Sequence, residues 1–282
     1  MDIHTSEKRP ESMHTSRLRQ LLLAVLSVVL TAGTAEAAPA KENARQELQA
    51  AELLEAAILA RQPTDEDLRK MEKLFDGLVA KYPDDAGILN SRGEFLWIVE
   101  EPAKAERDWK AAERLDPRNA AVLNHLGGCA LEHGEVKHSA DYFQRAVDAA
   151  PAVAVYHFNL ANLLYMFRRD LPTTDAPQPE EISRRAMHHY AEASRLEPLN
   201  EQYLRGYAET FFLLPAPDWH AALQTWERLA QMTANKDIAL SNLARIHLKL
   251  GEKEKALDCL SKITNPDFNH LKAKLKTEIE RE

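Results

Sequence analysis

The sequence predicts an all-α protein in which helical hairpins repeat and stack into an α-solenoid. The first observation is composition, because 42 alanines and 38 leucines stand against nine glycines in 282 residues. That bias favours helices and argues against sheet folds and glycine-loop nucleotide sites. The second is the spacing of prolines. Pro83, Pro117 and Pro151 lie 34 residues apart, and each follows a helical segment with periodic apolar residues. A proline stops a helix at little cost, because it lacks the N–H donor of a helix interior.

A recurring pattern of small and large side chains is the third observation. In the period 120–153, Leu126 and Gly127 fall in the first helix. Ser139 and Phe143 follow four positions apart in the second helix. Small residues let two antiparallel helices approach closely, while large ones fill the gaps of a neighbouring pair. Together with the 34-residue period, this pattern resembles the tetratricopeptide repeat family, whose unit is a helix–turn–helix.

The resemblance implies one right-handed superhelix that occupies the chain after residue 37. Thr64 and Asp67 resemble a capping box at the start of a helix. Phe268 and Leu271 begin an apolar stripe suited to a terminal helix that closes the last open surface. The predicted divisions are a degenerate N-terminal repeat or cap at 42–85, repeats at 86–119, 120–153, 154–200 (with an insertion at about 168–180), 201–236 and 237–266, and a capping helix at 267–282.

The N-terminal residues carry the three-part pattern of a secretory signal. Two arginines precede an apolar run at 21–30, and a tail of small residues follows it. Cleavage is expected after Ala37, because Ala35 and Ala37 supply the small pair that such sites require. An uncleaved anchor is the alternative, although the run is short for a bilayer core of about 30 Å. We therefore expect residues 1–37 to be removed and the protein to be exported, to a bacterial periplasm or to the extracellular space.

Charge and cysteine content narrow the range of partners and cross-links. A net charge of −8 leaves no general basic surface for nucleic acid or anionic lipid. Cys129 and Cys259 fall in well-separated repeats, so a disulfide between them is not expected. Each cysteine is predicted to be a small buried hydrophobe.

The concave face of the predicted solenoid is the candidate binding surface. The family's partner-contacting positions hold asparagine in four of five repeats here. An amide donates and accepts hydrogen bonds, so an asparagine ladder can hold an extended peptide backbone; alternatively, these residues only support helix packing. Aromatic residues at other positions are typical anchors for a partner, unless neighbouring helices bury them. The predicted partner-binding residues are Trp97, Asn124, His125, Phe158, Asn159, Asn162, Tyr165, Arg205, Phe212, Asn242 and Arg245.

The charge along this face differs between its two ends. Arg205, Arg245 and Lys249 lie in the C-terminal half, while Glu94 and Glu132 lie in the other half. The family's clamp for C-terminal carboxylates interleaves lysines and an arginine with asparagine. The departure from that pattern argues against a role in binding chaperone tails.

Loops at one edge offer a second candidate interface. The insertion at about 168–180 and the elaborated turn at 213–218 each join the two helices of a repeat. Such proline-rich, charged loops are either tolerated additions or specific docking elements. The second hypothesis is therefore a structural subunit of an envelope assembly, docked through its convex face, loop edge or terminal helix. Homodimerisation through the terminal helix is a further option.

Common catalytic and metal-binding motifs do not occur in the sequence. It holds no His-Glu-x-x-His, Cys-x-x-Cys, calcium loop, P-loop, Gly-x-Ser-x-Gly or Rossmann fingerprint. His188 and His189 are adjacent and point about 100° apart on a helix, which suits one ion poorly. His133 and His138 supply only half of a closed zinc site. We therefore predict an exported, non-enzymatic scaffold without a cofactor that binds another protein or an extended peptide segment in its groove.

Overall fold

The computed structural model describes residues 39–61, 63–171 and 178–281. The predicted signal at 1–37 lies outside the described residues, as does the part of the insertion at 172–177. Over the described ranges the chain forms thirteen α-helices and no strand. In chain order they are α1 (Pro39–Leu59), α2 (Asp65–Lys81), α3 (Ala86–Ile98), α4 (Pro102–Leu115), α5 (Ala120–Glu132), α6 (Val136–Ala149), α7 (Ala154–Met166), α8 (Pro179–Leu196), α9 (Glu201–Thr210), α10 (Trp219–Met232), α11 (Lys236–Lys249), α12 (Lys253–Lys262) and α13 (Asn269–Arg281), with 3₁₀ turns at Phe211–Leu213 and Pro266–Phe268.

The first twelve described helices pair into consecutive hairpins, from α1–α2 to α11–α12, and each hairpin packs on the next. The last helix, α13, packs on α11 and α12 and buries Leu275 and Ile279. At the other end, α1 packs on α2 and α3 through Ala44, Ala51 and Ile58. The predicted all-α solenoid of helical hairpins is therefore confirmed.

Close contact between a glycine and an aromatic ring explains the small-and-large pattern. A methyl group at Gly93 of α3 would lie 2.5 Å from Nε1 of Trp109 on α4. One at Gly127 of α5 would lie 2.7 Å from the ring of Phe143 on α6. Atoms cannot approach so closely without displacement, so glycine on the first helix is what admits the aromatic ring of the second.

Local side-chain hydrogen bonds determine where several helices begin. Thr64 accepts a hydrogen bond from the backbone N–H of Asp67, and the Asp67 carboxylate accepts one from the backbone of Thr64. This is the capping box that the sequence predicted. Asp85 and Asn119 cap α3 and α5 through one bond each. Their side chains accept a hydrogen bond from the backbone N–H three residues later. These bonds satisfy donors that have no partner within the helix.

Three turns within the described hairpins contain a residue in the left-handed region. Gly134 joins α5 to α6 and Gly251 joins α11 to α12, both at a φ of 75°. Glu100 takes the same place between α3 and α4 with a φ of 65°. A residue with a Cβ adopts this region at a steric cost that glycine avoids.

Both cysteines are buried and free, as the sequence predicted. Burial raises the pKa of the Cys129 thiol to about 12, and the carboxylates of Glu106 and Glu132 add to the shift. Among the described helices, none combines the length and the apolar character that crossing a membrane requires.

Candidate functional site

The first helices of successive hairpins are linked by polar side chains along one face, which we call the inner face (α1, α3, α5, α7, α9 and α11). Between α1 and α3, Ser91 Oγ donates to Glu52 Oε1 at 2.7 Å. Between α3 and α5, His125 Nε2 lies 2.9 Å from Glu94 Oε1. These two contacts tie three consecutive first helices together. They also place acidic side chains on the inner face.

The predicted asparagines engage in hydrogen bonds within the protein. Between α5 and α7, Asn159 Nδ2 donates to Asn124 Oδ1 at 2.8 Å, and Asn124 is only 6% exposed. Asn162 Oδ1 accepts from the Tyr190 hydroxyl at 2.6 Å. Asn242 donates to a backbone carbonyl of its own helix. Each amide therefore contributes to packing, and the half-buried Asn159, Asn162 and Asn242 keep further hydrogen-bonding capacity for a partner.

The predicted aromatic anchors differ in burial. Phe158 is 8% exposed and packs between Tyr190 and Tyr203, so its ring lies in the core beneath the inner face. Tyr165 is half-buried, and the adjacent Met166 is 61% exposed. These two side chains form the apolar surface that α7 offers to solvent.

Two further aromatic residues lie nearer the ends of the inner face. Trp97 on α3 is half-buried, with its ring centroid 5.7 Å from that of Trp109. Phe212 follows α9, and the Arg245 guanidinium lies 4.0 Å from its ring centroid. That distance is suited to a cation–π interaction.

Charged groups of both signs occupy the C-terminal half of the inner face. Arg205 pairs with Glu201 of its own helix. Burial raises the pKa of Glu209, and the charge of Arg205 partly opposes that shift. Arg245 donates to Asn242 Oδ1 at 2.9 Å, and burial lowers its pKa. The arginines that the sequence singled out therefore have partners on their own helices.

An acidic cluster at the N-terminal end was missed in part by reasoning from sequence. It consists of Glu52 and Glu55 on α1 and Glu94 on α3, of which only Glu94 was noted. Burial raises the pKa of Glu55 to about 8, and the charges of Glu94 and Glu52 add to the shift. Burial also raises the pKa of Glu52. Burial opposes ionisation of Glu94, yet hydrogen bonds from His125 and Asn90 leave its pKa below the usual range.

A sequence signal for Glu55 exists in the periodicity of α1. The residues Ala44, Leu48, Ala51 and Ile58 form an apolar stripe at intervals of three and four, and Glu55 occupies the remaining place on it. An acidic residue on such a stripe is buried when the helix packs. Charged residues are almost never fully buried without a partner, so this position indicates a special role.

A buried histidine pair also escaped the sequence analysis. His157 Nδ1 of α7 lies 3.0 Å from His189 Nδ1 of α8, and His157 Nε2 lies 3.0 Å from the Pro151 carbonyl oxygen. Burial, then the charges of His157 and His188, lower the pKa of His189 to about 4. Across the described ranges, no three histidine, cysteine or acidic side chains converge closely enough to hold a metal ion.

Comparisons with known proteins agree with this architecture. Residues 99–154 match the model of the tetratricopeptide repeat family. No curated protein sequence matches the chain. Residues 99–154 therefore carry a tetratricopeptide-type repeat, and the described helices form an α-solenoid of helical hairpins.

Three solved structures illustrate the likeness. YrrB, described as a TPR protein with an unusual peptide-binding site, aligns with a TM-score of 0.60 at 17% identity, over 72% of this chain and 97% of that one. PilF of Pseudomonas aeruginosa gives 0.59 at 15% identity, over 86% and 100%. PilW, a widely conserved type IV pilus biogenesis factor, gives 0.52 at 14% identity, over 78% and 91%. At these identities the likeness concerns the fold alone.

Proposed function

We propose that this protein is an exported, non-enzymatic scaffold that binds an extended segment of another protein along its inner face. The observation that carries the proposal is the surface of α7, where Met166 is 61% exposed beside the half-buried Tyr165. Asn159 and Asn162 on the same helix supply amide groups next to this apolar surface. Exposed methionine and tyrosine side chains with polar neighbours are suited to anchoring a peptide. The unusual peptide-binding site of YrrB adds support, since its fold is similar.

The test compares matched pairs of substitutions at exposed apolar residues. Linear peptides are selected from a phage-displayed random library on the full chain, then synthesised, and their affinities are measured by fluorescence anisotropy. The variant Tyr165→Ala with Met166→Ser should weaken binding about tenfold or more, equivalent to about 1.4 kcal/mol. The control is Leu199→Ser with Leu257→Ser, which changes two exposed leucines that lie off the inner face. Equal affinities for the inner-face variant and the native chain would contradict groove binding, provided that circular dichroism shows both to be folded.

Export is tested separately by the mass of the protein isolated from its own cells. The proposal expects the chain to start at Ala38 and to fractionate outside the cytoplasm. A chain that retains residues 1–37 would contradict cleavage at this site.

A second candidate function is a structural subunit docked through other surfaces. Leu53 and Leu54 on α1 are 66% and 48% exposed, and Leu199 in the turn before α9 is 88% exposed. Exposed leucines of this kind suit contacts within an assembly. If Leu53→Ser with Leu54→Ser releases the protein from a membrane-associated complex, while the Tyr165 and Met166 variant does not, the structural-subunit function is favoured.

A further inference from the structure

The acidic cluster of Glu52, Glu55 and Glu94 contains a carboxyl group that has no partner among the described residues. Glu55 is 7% exposed, and in the described part of the chain no donor or cation bonds to it. Its neighbours are the carboxyl groups of Glu52 and Glu94, whose charges disfavour its ionisation. A buried carboxyl group normally has a hydrogen-bond donor or an opposite charge beside it. Among the described residues, Glu55 is therefore a buried carboxyl group with neither a donor nor an opposite charge bonded to it.

The oxygens of Glu55 belong to the small exposed fraction of its side chain. Among the described side chains that are not exposed, the one polar atom both sealed from solvent and unpaired is Asn90 Oδ1. The Glu55 oxygens have no partner among the described residues and yet are not sealed, so solvent touches them. Asn90 Oδ1 is an acceptor on α3, one turn before Glu94, to which Asn90 donates at 3.0 Å. The cluster thus combines carboxyl oxygens in contact with solvent and acidic charge, whereas the sealed Asn90 Oδ1 lies out of a ligand's reach.

Neighbouring groups determine what kind of cation would fit. Among the described residues, the three carboxyl groups of the cluster and the nearby His125 do not converge closely enough to hold a metal ion. An ammonium or guanidinium group is larger and presents several N–H donors, so it can bridge carboxylates that are farther apart. Trp97 lies one turn after Glu94 and is half-buried. Its ring can pack against the methylene stem of a long basic side chain or against the cation itself.

We propose that Glu52, Glu55 and Glu94 form a subsite for the basic side chain, lysine or arginine, of the peptide bound along the inner face. The proposal deepens, and rests on, the peptide-binding function above. The subsite places a basic residue at the α1 end of the inner face, so it sets the direction and register of the peptide. Glu94 is held in place by His125, and Glu52 by Ser91. Glu55 is the carboxyl group with which the cation pairs.

The first experiment tests the subsite without a peptide. The full chain is labelled with ¹³C at the glutamate carboxyl groups and titrated with n-butylammonium, which mimics the lysine side chain. Saturable shifts of the Glu52, Glu55 and Glu94 signals are expected, and n-butanol or sodium chloride at equal concentration should not produce them. The variant Glu55→Gln should weaken the saturation seen at Glu94 by about fivefold or more. The variant Glu66→Gln, an exposed glutamate on α2, is the matched control and should behave like the native chain.

A pH series separates cation binding from a merely structural role of Glu55. Cation binding requires Glu55 to lose its proton. The negative charges of Glu52 and Glu94 oppose that loss, and His125 is bonded to Glu94. Affinity for n-butylammonium should therefore rise about fivefold or more from pH 6.5 to pH 8.5, and Glu55→Gln should abolish most of that rise. Absence of saturable shifts, or the same response from Glu55→Gln and the native chain, would overturn the proposal.

Peptides selected on the full chain provide the second experiment. Replacement of their basic residue by norleucine should weaken binding to the native chain about fivefold or more, and to Glu55→Gln much less. If the norleucine peptides bind as well as the originals, the subsite is rejected while groove binding stands. If n-butylammonium binds but no peptide depends on Tyr165 and Met166, groove binding fails, and the assignment of the cation site to a bound peptide is overturned with it. Loss of binding on acetylation of the peptide's α-amino group would overturn the assignment to a side chain.

Discussion

The hairpins α1–α2 and α5–α6 have the same architecture but differ in the side chains that they bury between their helices. In α5–α6, Gly127 admits the ring of Phe143, and the buried Ser139 hydroxyl donates to the Gly127 carbonyl at 2.7 Å. In α1–α2, small residues such as Ala51 fill the stripe, and Glu55 is buried with no donor among the described residues. Within the described chain, one hairpin thus satisfies its buried polar groups and the other does not. The difference shows that the terminal repeat tolerates a buried carboxyl group that the interior repeat does not contain.

Among the substitutions that test this comparison, Glu55→Gln at high pH should change the free energy of unfolding most. The pKa of Glu55 in the folded chain, about 8, lies above its usual value of 4.5, so the folded chain keeps a proton that the unfolded chain loses between these pH values. Stability therefore falls as pH rises from about 4.5 to 8. Glutamine keeps the shape and cannot ionise, so Glu55→Gln should be more stable than the native chain by about 2 to 4 kcal/mol at pH 8. Near pH 5 the difference should shrink towards zero.

Urea unfolding followed by circular dichroism at several pH values measures this difference. Glu66→Gln serves as the control, because Glu66 is exposed and its removal should leave the pH dependence unchanged. A constant difference between Glu55→Gln and the native chain across the pH range would show that Glu55 is ionised in the folded protein. The contrast with α5–α6 would then disappear.

A pair of adjacent glycines tests the tight packing of α5–α6. Gly127→Ala should reduce the free energy of unfolding by about 2 kcal/mol, because its methyl group would press on the ring of Phe143. Gly128→Ala meets no atom within 4 Å and should be neutral or stabilising by up to about 1 kcal/mol, because alanine favours helix. Thermal unfolding of both variants measures the contrast. Equal effects would mean that helix propensity, not the contact with Phe143, governs this position.

The smallest effect concerns the turns within hairpins. Glu100 has a φ of 65° where the next hairpin has Gly134 at 75°. Glu100→Gly should therefore stabilise the chain by about 1 kcal/mol, since glycine adopts this conformation without steric cost. Gly134→Ala should destabilise it by a similar amount. Chemical unfolding of the two variants should give changes of opposite sign, and a loss of stability in Glu100→Gly would contradict the assigned strain.

Much of the fold could be predicted from sequence because its determinants are local. The prolines that follow most hairpins, the pairing of Gly127 with Phe143 and the cap at Thr64 all depend on residues close in sequence. Less of the candidate site could be predicted, because its contacts join residues in different hairpins. Asn124 and Asn159 are 35 residues apart and bond to each other, and Ser91 and Glu52 are 39 apart. Their bonding depends on how one hairpin stacks on the next.

The sequence by itself determined the period, the helical hairpins and the small-and-large packing within each of them. Helix periodicity and proline stops act within a single repeat, so they can be recognised without coordinates. The tertiary structure alone decided that Phe158 lies in the core while Met166 is exposed, although both share a helix. It also decided that Glu55 has acidic neighbours and no donor within the part of the chain that the structure describes. The physical reason is that exposure, hydrogen bonding and electrostatic environment are properties of the stacked helices, and stacking brings together side chains far apart in sequence.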